Sequence, residues 1–257
     1  MKIVLTFDIE RDIPRVINSY FGVKIGLLKI LKILDEFNIK GTFFCTGDIV
    51  GHLPEYIKLI EGKDHEIGCH SLNHERLNQL DFNTCYELIS KNKKLIETLC
   101  QHSEVIGFRA PHLKPPLFLL KILADLGFKY DSSISSNRSL KNYKINESQI
   151  YEFHPSNFNV LFRLPLIFQF LSKWIFKKNL TILYFHPSEA IDMKALIFNQ
   201  TNLLSKYKNL LIRIDRWVNT GDMFINRLRS FIKEALSKKV EFVTLRDLMI
   251  SKEKTLT

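Results

Sequence analysis

The chain has 257 residues, of which 46% are hydrophobic, 12% aromatic and 25% charged, and its formal net charge is +10. This apolar content excludes a disordered chain, and the length fits one large α/β domain or two small ones. The four cysteines, Cys45, Cys69, Cys85 and Cys100, are too few for a disulfide framework and include no CxxC pair, which argues against a cysteine zinc site.

The positive charge is concentrated in the second half of the chain. Up to Tyr130 there are 17 basic and 16 acidic residues, whereas from Asp131 onward there are 20 basic and 11 acidic. A basic surface suits an anionic partner such as a membrane headgroup or an acidic glycan. A nucleic-acid partner is not expected, because no nucleic-acid-binding motif is present and the basic residues are not interleaved with aromatic ones.

The sequence shows no targeting or membrane-spanning segment. Met1–Phe7 is too short for a signal peptide and is followed at once by acidic residues. The most apolar stretch, Phe158–Phe176, is interrupted by Arg163 and Lys173, so it is predicted as a core segment in preference to a membrane-surface segment. These features predict a cytoplasmic protein.

Short apolar runs alternate with helical patterns along the chain. In chain order the predicted elements are strand Lys2–Phe7, helix Lys24–Phe37, strand Gly41–Thr46, helix Leu53–Glu61, strand Glu66–His70, helix Thr84–Leu99 with Asp81 as N-cap, strand Val105–Arg109, helix Pro115–Leu126, strand Lys129–Ser132, strand Leu180–Phe185, helix Asp222–Ser237 and strand Val240–Leu245. Such strand–helix repetition predicts a parallel sheet covered by helices, as in an α/β barrel. Residues 133–179 give no clear pattern.

Polar residues follow several of the predicted strands. In an α/β barrel the active site lies at the C-terminal ends of the strands, which meet at one edge. The residues predicted to meet there are Asp8, Glu10, His70, His74, Arg109, Asp131 and His186.

The segment His70-Ser-Leu-Asn-His74 is a candidate for metal binding. Two imidazoles four residues apart are able to bind one divalent ion from a helical turn or a tight loop. The helical motif HExxH is absent, and Gly68 disfavours a helix at this point. The alternative is a pair of unrelated surface histidines.

Asp8 and Glu10 stand at the end of the first predicted strand. One carboxylate would complete a metal site, and the other would act as a general base towards water. The alternative is that acidic residues simply begin a loop here, as Asp12 does.

Two further strand ends carry basic side chains. Arg109 is able to hold a carboxylate through a bidentate pair, although an isolated arginine is more often solvated. His186 is able to donate a proton to a leaving group, although a lone histidine at a strand end is more often structural.

Five segments, taken in order, resemble the motifs of the polysaccharide deacetylase family, the NodB-homology domains of carbohydrate esterase family 4. They are TFDIE at 6–10, HSLNH at 70–74, RAPH at 109–112, YDSSI at 130–134 and YFHPSE at 184–189, followed by FVTLRDL at 242–248. The resemblance implies a distorted (β/α) barrel, related to the TIM barrel, with about seven parallel strands. It further implies one catalytic domain over residues 1–257 that removes an N-acyl group, acetyl in the first place, from an amino sugar or glycan.

The resemblance also implies a divalent ion, usually zinc, bound by His70 and His74. Cobalt, manganese and nickel suit the same donors. Most members take the third ligand from the second Asp of TFDD, but Ile9 stands there and has no donor atom. A branch of the family ending in DxD or DxE uses the next residue, so Glu10 is the predicted third ligand.

By the same resemblance Asp8 is the catalytic base, Arg109 tethers it and His186 is the general acid. Asp131 is expected to orient Arg109 or to line the site.

The turn after Arg109 is expected to line the substrate. His112 replaces a tyrosine of the family pattern and would contribute its backbone N–H to an oxyanion hole, next to Pro111.

Two alternatives to this function remain at the level of the sequence. Some family members remove formyl or acetyl groups from a lipid-linked sugar at the inner membrane face, and the basic second half favours such peripheral contact with anionic lipid. A non-enzymatic glycan-binding protein is disfavoured because Asp8, Arg109 and His186 occur together. The particular sugar is left open.

Overall fold

A computed structural model of the chain describes residues 1–12, 17–100, 104–135, 140–145, 148–163, 174–199 and 217–256. Its strands are β1 (Lys2–Ile9), β2 (Thr42–Cys45), β3 (Glu66–Cys69), β4 (Gly107–Phe108), β5 (Tyr130–Asp131), β6 (Leu140–Ile145), β7 (Ser148–Phe153), β8 (Leu180–Phe185) and β9 (Glu241–Phe242).

These strands form one sheet in the order β6-β7-β5-β4-β3-β2-β1-β8. The seven strands from β7 to β8 are parallel, β6 is antiparallel to β7, and β9 pairs with the first residues of β1. The parallel strands curl into a half-barrel, so the prediction of a distorted barrel with about seven parallel strands is confirmed.

Helices cover the sheet. They are α1 (Leu27–Glu36), α2 (Gly47–His52), α3 (Pro54–Glu61), α4 (Phe82–Leu99), α5 (Leu119–Asp125), α6 (Met193–Asn199), α7 (Asp222–Ser237) and α8 (Leu245–Leu256). In α7 the buried residues Phe224, Leu228 and Phe231 recur every three or four positions, which gives the helix one apolar face. Asp81 caps α4 as predicted, since its side chain accepts the N–H of Thr84 at 3.0 Å.

Two glycines allow close packing within the sheet. A Cβ at Gly68 would lie 2.7 Å from the ring of Phe44, and a Cβ at Gly107 would lie 2.0 Å from the ring of Tyr130. Larger residues at these positions would push aromatic side chains out of the core. Gly68 lies within β3, and His70 and His74 follow it in a loop.

The region that gave no clear pattern contains the hairpin β6–β7, which the sequence analysis missed together with α2, α6 and α8. Within Phe158–Phe176, Phe162 and Ile175 are fully buried, whereas residues 164–173 lie outside the described part of the chain. Among the described residues no helix has the length and apolar content needed to cross a bilayer.

Candidate active site

The parallel sheet brings the predicted strand ends to one edge. Cys69 pairs with Phe108 across β3 and β4, so the residues that follow them, His70 and Arg109, leave the sheet side by side. The backbone N–H of Arg109 donates to the Cys69 carbonyl at 3.0 Å. β1 and β8 are also neighbours, which places Glu10 near His186.

Glu10, His70 and His74 form a compact cluster. Their ligand atoms all lie within 4.8 Å of one another. Glu10 Oε2 is in direct contact with Nε2 of His74 and lies 3.6 Å from Nε2 of His70. This carboxylate oxygen is buried and has no hydrogen-bond partner of acceptable geometry. Two imidazole nitrogens around an unsatisfied carboxylate oxygen fit a divalent cation.

A backbone contact on the side away from the cluster orients the ring of His70. Its Nδ1 lies 2.7 Å from the carbonyl oxygen of Arg109. A carbonyl oxygen only accepts, so Nδ1 carries the hydrogen and Nε2 is the ring nitrogen that faces the cluster. Contacts of this kind fix the tautomer of metal-binding histidines.

The loop that carries the two histidines is held by a buried asparagine. Ser71 and His74 adopt left-handed backbone angles, with φ of 62° and 60°, so the loop is not helical. The side-chain amide of Asn92 in α4 donates to the carbonyls of Ser71 at 2.6 Å and Cys45 at 2.9 Å. Sequence analysis did not identify Asn92, because its position within α4 resembles an ordinary polar position.

Arg109 holds Asp8 in the core of the site. Its Nη1 donates to Asp8 Oδ1 at 2.7 Å and to the hydroxyl of Thr6 at 2.8 Å. Arg109 and Asp8 do not form a bidentate pair, because the other two guanidinium nitrogens donate to Ser132. Nε donates to the backbone carbonyl of Ser132 at 3.1 Å, and Nη2 donates to the Ser132 hydroxyl at 2.9 Å. Arg109 is fully buried, so this carboxylate contact is made without competition from water.

Both carboxylates are held in the ionised form. Burial raises the pKa of Asp8, but Arg109, followed by His70 and His186, outweighs burial and holds the pKa below its ordinary value. Burial opposes ionisation of Glu10 as well, and the surrounding histidines, His74 foremost, hold its pKa well below the ordinary value. Charged partners thus keep two adjacent carboxylates available for ligation and for proton transfer.

His186 faces both carboxylates. Its Nε2 lies 3.5 Å from Glu10 Oε1 and 4.0 Å from Asp8 Oδ2. On the other side of the ring, Nδ1 lies 3.2 Å from Oε1 of Glu189. Sequence analysis did not single out Glu189, although it stands three residues after His186, which is the spacing of a capping box.

Asp131 is buried at the end of β5 and pairs with Phe108, the residue before Arg109. The hydroxyl of Ser133 donates to its Oδ1 at 2.5 Å, and that same hydroxyl accepts the N–H of Ala110 at 2.7 Å. Burial raises the pKa of Asp131 to about 6. Its described contacts thus reach the turn after Arg109 through Ser133, whereas the contact with Arg109 itself comes from Ser132. A role for Asp131 in the reaction stays a prediction.

Pro111 and His112 lie beside the metal-binding loop. Pro111 is buried, and His112 has left-handed backbone angles of φ 61° and ψ 6°. The exposed ring of His112 packs edge-on against His74 with centroids 4.5 Å apart. Desolvation on the packed side and the nearby His74 lower the pKa of His112 to about 4. The role of its backbone N–H in an oxyanion hole stays a prediction.

A polar cavity of about 360 Å³ borders the cluster. It is lined by Arg11, Asn18, Thr46, Asp48, Asn73 and His74. Arg11 forms a bidentate pair with Asp48, with distances of 2.7 Å and 2.6 Å. The two charges balance, so the wall of this cavity offers hydrogen bonds without a net charge.

Comparisons with known proteins identify the family of this chain. The family model described as polysaccharide deacetylase matches residues 2–130. A peptidoglycan deacetylase of Helicobacter pylori is 27% identical over 130 residues, which cover 51% of this chain and 43% of that protein. The chain spans less than half the length of the curated relatives that it matches.

Two solved structures share the fold at low sequence identity. The Puue allantoinase structure has a TM-score of 0.72 at 13% identity, with 96% of this chain and 88% of that chain covered. A pseudoenzyme of the CE4 family from Bacillus anthracis has a TM-score of 0.61 at 16% identity, with 96% and 65% covered. Similar folds thus occur with different activities, and also with none.

Proposed function

Because this chain belongs to the polysaccharide deacetylase family, we propose that it is a metal-dependent hydrolase that removes an N-acetyl group from an amino sugar in a glycan. One observation carries the proposal. The cluster of Glu10, His70 and His74 lies directly beside Asp8 and His186, all at one edge of the sheet. This arrangement provides a cation site, a base and an acid within a few ångströms of one another.

A divalent cation, zinc before cobalt, manganese or nickel, fits the Glu10, His70 and His74 donors, and when bound it supplies Lewis-acid polarisation of the acyl carbonyl. Asp8 accepts a proton from the water that attacks the acyl carbon. Arg109 keeps this carboxylate ionised and fixed in position through the 2.7 Å contact.

His186 completes the reaction as the acid. As the C–N bond breaks, the amine nitrogen takes a proton from Nε2 of His186. Amide hydrolysis needs this proton, because an unprotonated amide nitrogen is a very poor leaving group. The backbone N–H of His112 is the proposed donor to the carbonyl oxygen that becomes negative during attack.

The proposed substrate is an acetylated glycan such as peptidoglycan. The name of the Helicobacter pylori relative supports this substrate class. The neutral polar cavity beside His74 also supports it, since hydroxyl and amide groups of a sugar are hydrogen-bonding but uncharged.

Peripheral contact with anionic membrane remains a separate prediction, tested by flotation with anionic liposomes. Recovery of all the protein in the unbound fraction would contradict it.

The experiment is a measurement of acetate and formate released from a panel of N-acyl amino sugars, detected by mass spectrometry. The panel contains monomers, oligomers, lipid-linked sugars and peptidoglycan. Zinc-loaded protein is expected to release acetate from acetylated oligomers, and His186→Ala is expected to release far less. Formate release from lipid-linked sugars alone would replace the proposed substrate with the alternative. Equal release by both proteins, or none from any substrate, would contradict the enzymatic function and favour a binding protein.

A further inference from the structure

Glu189 lies in the 3₁₀ turn Pro187–Ala190 that follows β8, and it is only 1% exposed. Its Oε1 is 3.2 Å from Nδ1 of His186 and also accepts the backbone N–H of His186 at 3.1 Å. The carboxylate therefore contacts the ring and the backbone of the same residue. Oε1 already accepts the backbone N–H, and as an ionised carboxylate oxygen it accepts a hydrogen from Nδ1 of His186 as well.

The turn that carries Glu189 is fixed by close packing. A π-helical turn over Gly22–Gly26 lies against it, and a Cβ at Gly26 would lie 2.0 Å from the carbonyl oxygen of Pro187. The carbonyl of Glu189 itself accepts the N–H of Gly221 at 2.9 Å. With its backbone held from two sides, the carboxylate is fixed close to the imidazole ring.

Three other buried carboxylates of the site, Asp8, Glu10 and Asp131, make different contacts. Asp131 is engaged by Ser133, and Asp8 by Arg109. Both Asp8 and Glu10 face the opposite nitrogen of the His186 ring, Nε2. Of these four carboxylates, Glu189 is the one whose described contact is with Nδ1.

We propose that Glu189 is the residue that positions the general acid, His186. This proposal rests on the proposed function of His186. Glu189 holds the ring in the tautomer with hydrogen on Nδ1 and turns Nε2 towards the reacting amine. In the protonated ring, Nε2 is then the nitrogen that gives its proton to the leaving group. An amide at position 189 has no charge, so even with its oxygen on the backbone N–H of His186 it accepts from Nδ1 more weakly than the carboxylate and selects this tautomer less strongly.

The test compares two substrates of zinc-loaded protein, an N-acetylated glucosamine oligomer and 4-nitrophenyl acetate. Nitrophenolate leaves without a proton, whereas the sugar amine needs one. Glu189→Gln is expected to lower kcat on the amide about 100-fold or more with little change in KM, and to change ester hydrolysis less than about 3-fold. Glu55→Gln on the exposed surface of α3 is the matched control and is expected to act as wild type on both substrates.

A double variant and a spectroscopic measurement complete the test. Glu189→Gln combined with His186→Ala is expected to be no slower on the amide than His186→Ala alone, since the positioning acts through the ring. Nitrogen-15 NMR of the His186 ring is expected to show hydrogen on Nδ1 in the wild type and a tautomer mixture in Glu189→Gln.

The proposal would be overturned by an unchanged amide kcat in Glu189→Gln, by equal losses on both substrates, by additive losses in the double variant, or by an unchanged tautomer. If the wild-type protein hydrolyses no amide, the proposed function fails. The NMR comparison then still decides whether Glu189 sets the tautomer.

Discussion

The two ends of the parallel sheet both bury carboxylates, but they surround them with different partners. At the C-terminal edge, Asp8 contacts Arg109 and Glu10 contacts the histidine cluster. At the N-terminal edge, where β3 begins, Glu66 accepts hydrogen bonds from hydroxyl groups and a backbone N–H. These donors are Tyr130 at 2.7 Å, Thr42 at 2.7 Å and the N–H of Arg246 at 3.0 Å.

This difference in partners gives opposite pKa shifts. Burial raises the pKa of Glu66, and its hydroxyl and N–H donors do not fully compensate for the desolvation. The pKa values of Asp8 and Glu10 are lowered despite equally complete burial, because Arg109 faces Asp8 and imidazole rings face both carboxylates. Buried carboxylates held as anions beside imidazole rings are typical of chemical sites, whereas the Glu66 network joins β2, β3, β5 and the start of α8 as a structural element.

The larger of two cavities lies at the edge opposite the proposed active site. A cavity of about 740 Å³ lies at the N-terminal edge, whereas the cavity beside His74 measures about 360 Å³. The larger one is lined by Lys40, Lys58, Glu61, Gly62, Asp64, His65, Glu66, Leu99, Thr244, Arg246 and Asp247. The electrostatic environment of the carboxylates therefore separates the two edges better than volume does.

Removing a ligand from the metal cluster is expected to have the largest effect. Glu10→Gln replaces a carboxylate that contacts both imidazoles, so zinc affinity should fall at least about 100-fold and acetate release should fall with it. Isothermal titration with zinc measures the affinity. Glu66→Gln is the control at the other edge and should bind zinc as the wild type does. Unchanged zinc affinity in Glu10→Gln would remove Glu10 from the site.

Glu66→Gln is expected to reduce stability but not activity. In Glu66→Gln an amide NH₂ faces donors that need an acceptor, so the free energy of unfolding should fall by about 1–3 kcal/mol. Because Glu66 lies at the other edge of the sheet, kcat of the folded protein should stay within about 2-fold of wild type. Urea unfolding measures the change in stability, and steady-state kinetics measure kcat. A loss of kcat with unchanged stability would contradict the division of roles between the edges.

A smaller, pH-dependent effect is expected at Asp131. Its pKa is raised to about 6 from 3.8, so the folded chain keeps a proton that the unfolded chain releases between these values. The resulting stability is complete below pH 3.8 and is lost as pH rises through about 6. Asp131 is hydrogen-bonded to the buried Glu152, so the retained proton is shared by these two carboxyls, and Asp131→Asn removes one of them. Wild type should therefore lose stability relative to the variant as pH rises through about 6. Urea unfolding across that range measures it, and parallel curves for the two proteins would contradict the shift.

Sequence reasoning located the strand ends but not the contacts between them. β8 and α7 were predicted with their observed limits, because their apolar patterns are strong and unbroken. The hairpin β6–β7 was not predicted. Its two strands pair with each other through their backbones, and neither strand has a clear apolar periodicity in its sequence. Apolar periodicity thus predicts elements that bury one continuous face.

Residues that act through other residues were also missed. Ser132 contacts Arg109 partly through its backbone carbonyl, which any residue type provides. Asp12 was interpreted as an ordinary loop acid, yet it is buried and accepts the N–H of Gly22 at 2.9 Å. Contacts of this kind depend on the tertiary fold, and residue type alone does not reveal them.

The central claim is that the C-terminal edge of the sheet carries out amide hydrolysis with Asp8 as base. The most direct test is the rate of acetate release from N-acetylglucosamine oligomers by wild type and Asp8→Asn, each loaded with one equivalent of zinc. Asp8→Asn should bind zinc normally and release acetate about 100- to 10,000-fold more slowly than wild type. Equal rates in the two zinc-loaded proteins, or no acetate from the wild type, would contradict the account.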